Sequence, residues 1–129
     1  MSRPAGRRTG RRQALFLLYQ WDLTGQELAS LYEGEPDEFA RSLAEAVASR
    51  APSLDRRITQ SSPDWPADRL GTLERNILRV GVYELEEGTV PHEVAINEAV
   101  VLAKRYATED AARLVNGILG RVAREEDAA

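Results

Sequence analysis

Apolar residues recur every three or four positions along most of the chain, which is the spacing of one face of an α-helix. The first such stripe is formed by Ala14, Leu15, Leu18, Tyr19 and Trp21. It predicts a helix over about residues 8–22 that ends near Thr24-Gly25.

Two prolines divide the pattern in the next part of the chain. Pro36 suits the first turn of a helix, because its missing N–H has no partner there, and an apolar stripe follows it up to Arg50. Pro52 is expected to break this helix, since proline removes a backbone hydrogen bond and clashes with the preceding turn. A short separate helix around Leu54 and Ile58 is then predicted.

The apolar positions are densest between Pro66 and Gly88, which predicts a central buried helix. They are Leu70, Leu73, Ile77, Leu78, Val80, Tyr83 and Leu85. Gly81 lies inside this helix, where glycine costs about 1 kcal/mol relative to alanine unless a neighbour packs close to it. Gly88 is expected to end the helix.

The remaining sequence predicts two more helices, one opening at Val90-Pro91 and one after Thr108. A hydroxyl followed by two carboxylates, Glu109 and Asp110, is typical of a helix N-terminus. Residues 124–129 are expected to fray. Because no stretch alternates convincingly like a β-strand, we predict an all-α, single-domain bundle of about six or seven helices over residues 1–129.

The formal net charge of −4 hides an asymmetry. Residues 1–12 form a basic arm with a charge of +5, so the other 117 residues carry −9. The arm contains Arg3, Arg7, Arg8, Arg11 and Arg12. An acidic body with a basic arm favours a polyanion that is contacted locally.

Composition excludes several classes of chemistry. The chain has no cysteine and one histidine, His92, which excludes disulfides, zinc fingers and thiol nucleophiles. His92 is expected to be an exposed residue of a helix start rather than a general base. No run is apolar enough to cross a membrane, so we expect a cytoplasmic protein. Because the sequence has no Gly-rich phosphate loop, Walker pattern or nucleophile elbow, and one histidine cannot make a histidine-rich metal site, we expect neither an enzyme nor a metal site.

Acidic and basic residues alternate at helical spacing, which favours solvated ion pairs over an acid–base pair. Such faces are predicted at Glu74/Arg75/Arg79 and at Arg121/Glu125. On the short helix after Pro52, Asp55, Arg56 and Arg57 are expected to point outward. Two polar pairs inside apolar helices, Asn97-Glu98 and Asn116-Gly117, are interpreted as internal cross-helix hydrogen bonds rather than ligand contacts.

The arginine arm is the best candidate binding site. On a helix, Arg8, Arg11 and Arg12 project to one side, and Tyr19 offers a face on which a base can stack. Guanidinium groups bind phosphate oxygens in pairs and stack on bases, which suits single-stranded RNA. The alternatives are a solubilising tail and a Tyr19 that belongs to the core.

Four segments resemble the signature blocks of the NusB family of bacterial transcription antitermination factors, in the family's order. They are ALFLLYQWDL at 14–23, ILRVGVYEL at 77–85, VPHEVAINEAVVLAK at 90–104 and LVNGIL at 114–119. The resemblance implies an all-helical fold of two packed sub-bundles, and it implies no cofactor. It also implies binding of single-stranded boxA RNA in ribosomal RNA leader transcripts together with NusE, a small-ribosomal-subunit protein. The family acts with RNA polymerase and other Nus factors to suppress premature termination and aid rRNA maturation.

The resemblance also implies roles for individual residues. RNA contacts are implied for Arg7, Arg8, Arg11, Tyr19, Asp110 and Arg113. Contacts with NusE are implied for Asp68 and Glu74.

The chain departs from the family pattern at three positions. Many relatives have arginine at the position of Thr9, alanine at that of Gly10 and phenylalanine at that of Leu114. These changes could lower RNA affinity or alter partner preference. A rival hypothesis is a protein-interaction module without RNA, for instance a homodimer that covers the arginines. The helical domain of an rRNA methyltransferase shares this fold, but we expect no cofactor-binding domain after residue 129.

Overall fold

A computed structural model of the chain describes residues 6–128, so Arg3 lies outside the described residues. The α-helices are α1 (Arg7–Thr24), α2 (Glu38–Ser61), α3 (Thr72–Glu87), α4 (His92–Tyr106) and α5 (Glu109–Ala128). Two short 3₁₀-helices cover Leu28–Leu31 and Ala67–Arg69. Residues 6–128 contain no β-strand, and the predicted all-α class is confirmed.

The prediction that Pro52 breaks a helix is wrong, because α2 continues through it. Buried apolar side chains keep helical spacing on both sides of the proline, at Val47, Ala51, Leu54 and Ile58. Burial of this stripe offsets the one backbone hydrogen bond that proline removes. The two helices expected around Pro52 are therefore one, which explains part of the difference between the predicted helix number and the five α-helices.

The helix ends show where short-range chemistry decides the structure. Gly25 and Gly88 follow α1 and α3 with φ values of 73° and 68°, in the left-handed region that favours glycine, as predicted. Pro36 lies just before α2 rather than in its first turn. Asp37 caps the helix, because its carboxylate accepts a hydrogen bond from the Ala40 N–H at 3.1 Å.

The end of α5 does not fray, since the helix extends to Ala128. Two observations account for this. Val122 and Ala123 are buried, and Arg57 binds the carboxylate of Glu126. The segment predicted to fray is thus helical up to residue 128.

The chain divides into two compact units, residues 1–50 and 51–129. In the first unit the buried positions of α1 and of the start of α2 form the core: Ala14, Leu15, Leu18, Ala40, Leu43, Ala44 and Val47. In the second unit α3, α4 and α5 pack against one another.

The glycine inside α3 has the close neighbour that its position requires. A Cβ placed on Gly81 would lie 2.6 Å from Cδ1 of Leu119, a fully buried side chain of α5. The missing side chain therefore allows the two helices to approach closely.

Arg57 does not point outward as predicted. Its guanidinium group donates a 2.8 Å hydrogen bond to Glu86 and also binds Glu126. Burial alone would lower the pKa of Arg57, but these two hydrogen bonds outweigh that effect and raise its pKa. The arginine thus joins the ends of α3 and α5. No helix within residues 6–128 is long and apolar enough to cross a membrane.

We predict that Gly81→Ala lowers the free energy of unfolding by about 1–3 kcal/mol, because a methyl group would overlap buried Leu119. Gly117→Ala is the matched control, since nothing among the described residues lies within 4 Å of its Cβ position. This control should gain up to about 1 kcal/mol from helix propensity. Urea unfolding of both variants measures the difference, and equal effects would contradict the packing role of Gly81.

Candidate RNA-binding and protein-binding surfaces

The arginines at the start of α1 are arranged around Phe39, an aromatic side chain of α2. The guanidinium carbon Cζ of Arg7 lies 5.0 Å from the centroid of this ring, and that of Arg11 lies 5.8 Å from it. Both distances are within the range of cation–π attraction. Arg7 and Arg8 are both exposed to solvent.

Arg11 is not part of an exposed strip, contrary to the sequence interpretation. Its side chain is only 4% exposed, and Arg12 is half-buried. Arg7 and Arg11 are four residues apart and therefore share the helix face that Phe39 covers. The sequence could not show that Arg7 and Arg11 contact Phe39, because the pattern predicts Phe39 only as one member of an apolar stripe.

Phe39 also explains why glycine occupies position 10. A Cβ on Gly10 would lie 2.5 Å from Cδ1 of Phe39. The absent side chain lets the ring approach α1 closely, at some cost in helix propensity. The departure from alanine at this position therefore has a packing reason in this chain.

Tyr19 lies on the same side of α1 as Arg8. The two residues are eleven positions apart, which is close to three helical turns, and Arg12 falls between them on that side. Tyr19 is half-buried, so part of the ring is accessible and part belongs to the core. Arg7, Arg8 and Tyr19 thus form the accessible part of the predicted site in the first unit.

Asp110 lies in the first turn of α5 and Arg113 in the next turn, both in the second unit, and they pair with each other. Their side chains are 87% and 71% exposed, so the pair adds little to stability and can exchange partners. The predicted hydroxyl cap is present, because the Ala111 N–H donates to Oγ1 of Thr108 at 3.0 Å. Thr108 thus caps this helix through its hydroxyl.

The two carboxylates expected to contact a protein partner lie near the start of α3. Asp68 is exposed in the short helix Ala67–Arg69. Arg75 donates to the carbonyl oxygens of Ala67 and Leu70, each at 3.4 Å, and so ties this short helix to α3.

Glu74 occupies the first turn of α3, and its carboxylate lies directly beside Gly71, the residue that caps the helix. A negative charge is favoured at this end of a helix. Glu74 therefore has a structural role that sequence reasoning missed, in addition to the role implied by the family.

The prediction of a solvated face that includes Arg79 is wrong, because the Arg79 side chain is only 5% exposed. Its Nε and Nη2 atoms each donate a 2.7 Å hydrogen bond to Asp55, one to each carboxylate oxygen. Its Nη1 atom donates to Oδ1 of Asn76 at 3.0 Å. A guanidinium group held by a carboxylate in two bonds is a strong, directional contact, and this one fixes the last part of α2 to α3.

The interpretation of the asparagines as internal hydrogen-bonding groups is also wrong. Asn97 and Asn116 are both exposed, as is Gly117, whereas Glu98 is buried. Sequence reasoning also missed Trp65, which is 54% exposed in the loop after α2. The position of Trp65 between two prolines in a turn could have indicated its exposure, because an aromatic residue outside a helix is not carried into the core by an apolar helix face.

The sequence of the chain matches a known protein family. The sequence pattern of the NusB family matches residues 8–124. The chain belongs to the NusB family. The transcription antitermination protein NusB of Myxococcus xanthus is 40% identical to it, over 91% of this chain and 94% of that protein.

Solved structures of the NusB family share the fold. T. maritima NusB is 30% identical in sequence to this chain, and its structure superimposes with a TM-score of 0.82. The match covers 98% of this chain and all of the T. maritima chain. A chain in a crystal structure of the antitermination factors NusB and NusE in complex with double-stranded RNA is 29% identical in sequence to this chain. It covers 92% of this chain and 96% of its own, with a TM-score of 0.80. NusB relatives are transcription antitermination proteins, which supports the prediction that this chain is not an enzyme.

We predict that Asp55→Ala lowers the free energy of unfolding by about 3–5 kcal/mol, because it leaves buried Arg79 without its carboxylate partner. Asp110→Ala is the matched control, which removes the partner of an exposed arginine and should change stability by less than about 1 kcal/mol. Thermal unfolding of both variants tests the assignment. Similar losses from the two substitutions would argue against the burial of the Arg79 pair.

Proposed function

We propose that this NusB-family chain binds single-stranded boxA RNA of ribosomal RNA leader transcripts together with NusE. In this proposal it works in the cytoplasm, within the RNA polymerase antitermination complex and with other Nus factors. It suppresses premature termination and aids rRNA synthesis and maturation. The observation that carries the proposal is the exposed pair Arg7 and Arg8, on the same helix as Tyr19, in a chain of net negative charge.

The chemistry of this surface suits a single strand. Arg7 and Arg8 can each bind phosphate oxygens in pairs, and the accessible part of the Tyr19 ring can stack on a base. The contact of Arg7 with the Phe39 ring restricts the arginine before RNA arrives, which lowers the entropy lost on binding. Arg11, named as an RNA contact by the family resemblance, has a supporting role in this proposal because it is buried beside Phe39.

Asp110 and Arg113 provide the second RNA contact of the proposal. Arg113 can exchange its exposed partner for a phosphate, and the freed Asp110 carboxylate can then accept hydrogen bonds from base amino groups. This exchange requires little energy, because an ion pair at such exposure is weak.

The carboxylates Asp68 and Glu74 are proposed to dock NusE. Asp68 is exposed and Glu74 is half-buried, and together they offer negative charge to a basic ribosomal protein. The link from Arg75 to the short helix holds Asp68 in a fixed position relative to α3. A preorganised acidic surface of this kind favours rapid association with a basic partner.

We predict that replacing both Arg7 and Arg8 by alanine weakens boxA RNA binding and lowers the melting temperature only slightly, since exposed arginines, including one in a cation–π contact, add little to stability. For the unmodified chain, contacts with about 3–4 phosphates predict a slope of roughly −2 to −3 for log K against log salt concentration. The double variant should lose about 1 to 1.5 of that slope.

The control for this experiment is Arg56→Ala with Lys104→Ala, which removes the same charge from exposed positions in the second unit. Fluorescence anisotropy with labelled RNA at several salt concentrations measures both affinity and slope. An unaltered isotherm for the Arg7 and Arg8 variant would favour a solubilising role. A dimer that persists in sedimentation at saturating RNA would favour the homodimeric protein-interaction module.

We also predict that Glu74→Gln weakens NusE binding by about three- to fivefold through loss of charge complementarity. Glutamine keeps the geometry required at the third position of a helix, so the fold should be retained. Glu93→Gln, an identical change in the first turn of α4, is the control and should leave NusE affinity unchanged. Calorimetric titration with NusE measures the affinity of both variants. Equal effects of the two substitutions would contradict docking at α3.

A further inference from the structure

A groove of about 380 Å³ lies in the second unit, between the loop that follows α2 and the outer face of α5. The loop contributes Trp65, and the helix contributes Arg113, Leu114, Gly117, Arg121 and Arg124. Apart from Arg113, none of these side chains has a role in the proposed function so far. The volume is in the range of grooves that hold small ligands or parts of larger ones.

Trp65 is held in place while it remains exposed. A tight turn precedes it, in which the Trp65 N–H donates to the carbonyl oxygen of Ser62 at 3.0 Å. Pro63 within the turn and Pro66 after it restrict the backbone further. More than half of the tryptophan surface is exposed, at 54%. A rigid, accessible indole is a ready surface for stacking, because little entropy is lost when a ring binds it.

The helix side of the groove is basic in an acidic part of the chain. Arg113, Gly117, Arg121 and Arg124 are spaced by four, four and three residues, so they share one face of α5. Residues 51–129 contain fourteen acidic and ten basic residues, a net charge of −4. The groove lining instead contains three arginines and one carboxylate, that of Asp64.

Existing ion pairs leave these arginines able to bind a ligand. Nε of Arg121 is 3.9 Å from the Glu125 carboxylate, and both side chains are about half exposed. Arg113 is paired with Asp110 at still greater exposure. Exposed pairs of this kind are weak, so a phosphate group can replace the carboxylates.

Gly117 is the unusual residue of this face. It is exposed inside a helix, and nothing among the described residues lies within 4 Å of a Cβ placed on it. Glycine weakens a helix, and at Gly81 and Gly10 a close neighbour explains it, whereas packing gives no such reason at Gly117. A glycine in such a place allows a ligand to approach the backbone.

We propose that this groove binds a further segment of single-stranded RNA, with a base stacked on Trp65 and phosphates bound by Arg121 and Arg124. RNA is favoured over a protein partner because the groove combines concentrated guanidinium groups with an exposed aromatic face. The inference rests on the proposed function, since it extends the RNA contact beyond Arg7, Arg8 and Arg113.

The test compares boxA RNA alone with boxA RNA that carries a single-stranded oligouridine extension of about ten nucleotides, close to the site size of single-strand binding proteins. The unmodified chain should bind the extended RNA about five- to tenfold more tightly, as expected for one stacked base and its phosphates. Trp65→Leu, and separately Arg121→Ala with Arg124→Ala, should abolish this gain and leave the affinity for short boxA RNA unchanged.

Three further measurements separate binding from folding. Trp65→Phe should keep most of the gain but remove the quenching of tryptophan fluorescence that accompanies binding of the extension. Gly117→Ala should raise the melting temperature and reduce the gain, which no general loss of structure can produce. Lys104→Ala with Arg105→Ala, the same charge change on exposed residues of α4, is the control and should keep the gain.

Each other outcome overturns a specific claim. If the groove variants keep the full gain from the extension, or the unmodified chain shows none, the groove is not an RNA site. If they lose NusE affinity and keep RNA affinity, the groove binds protein and the inference is wrong. If the unmodified chain binds neither RNA, with or without NusE, the proposed function itself fails.

Discussion

The close packing of α3 against α5 at Gly81 and Leu119 is the constraint on which the second unit depends. A helix that turns Leu119 fully inward must turn Gly117 to the opposite side, since two residues correspond to about 200° of rotation. The same rotation places Arg113 and Arg121 outward. The basic face of α5 is therefore a consequence of how its apolar face is buried.

Burial separates two kinds of arginine in this chain. Arg79 is fixed by two hydrogen bonds to Asp55, and Arg11 is buried near Phe39, so these cations serve the fold. Arg7 and Arg8 lie exposed at the start of α1, where Arg7 also contacts the Phe39 ring, so a phosphate can reach both guanidinium groups from solvent. A negative net charge is thus compatible with RNA binding, because the distribution of accessible cations matters more than their sum.

Sequence reasoning succeeded where the determinant is local. The helix ends at Gly25 and Gly88 and the cap at Thr108 are each determined by residues within one helical turn. The loss of helix propensity at Gly81 indicated that a neighbour packs close to it. Sequence reasoning failed where the partner is distant in sequence. Pro52 is accommodated because the apolar stripe of α2 continues on both sides of the proline. The burial of Arg79 depends on Asp55, which is twenty-four residues away. The exposure of Asn116 likewise depends on which face of α5 the other helices cover.

The measurement that tests the account most directly is a titration of purified chain with boxA RNA and with a scrambled strand of the same composition, each with and without NusE. We predict that the boxA strand binds more tightly than the scrambled strand, that NusE strengthens this binding, and that added salt weakens it. Equal affinity for the two strands in the presence of NusE would contradict sequence-specific RNA binding by this member of the NusB family.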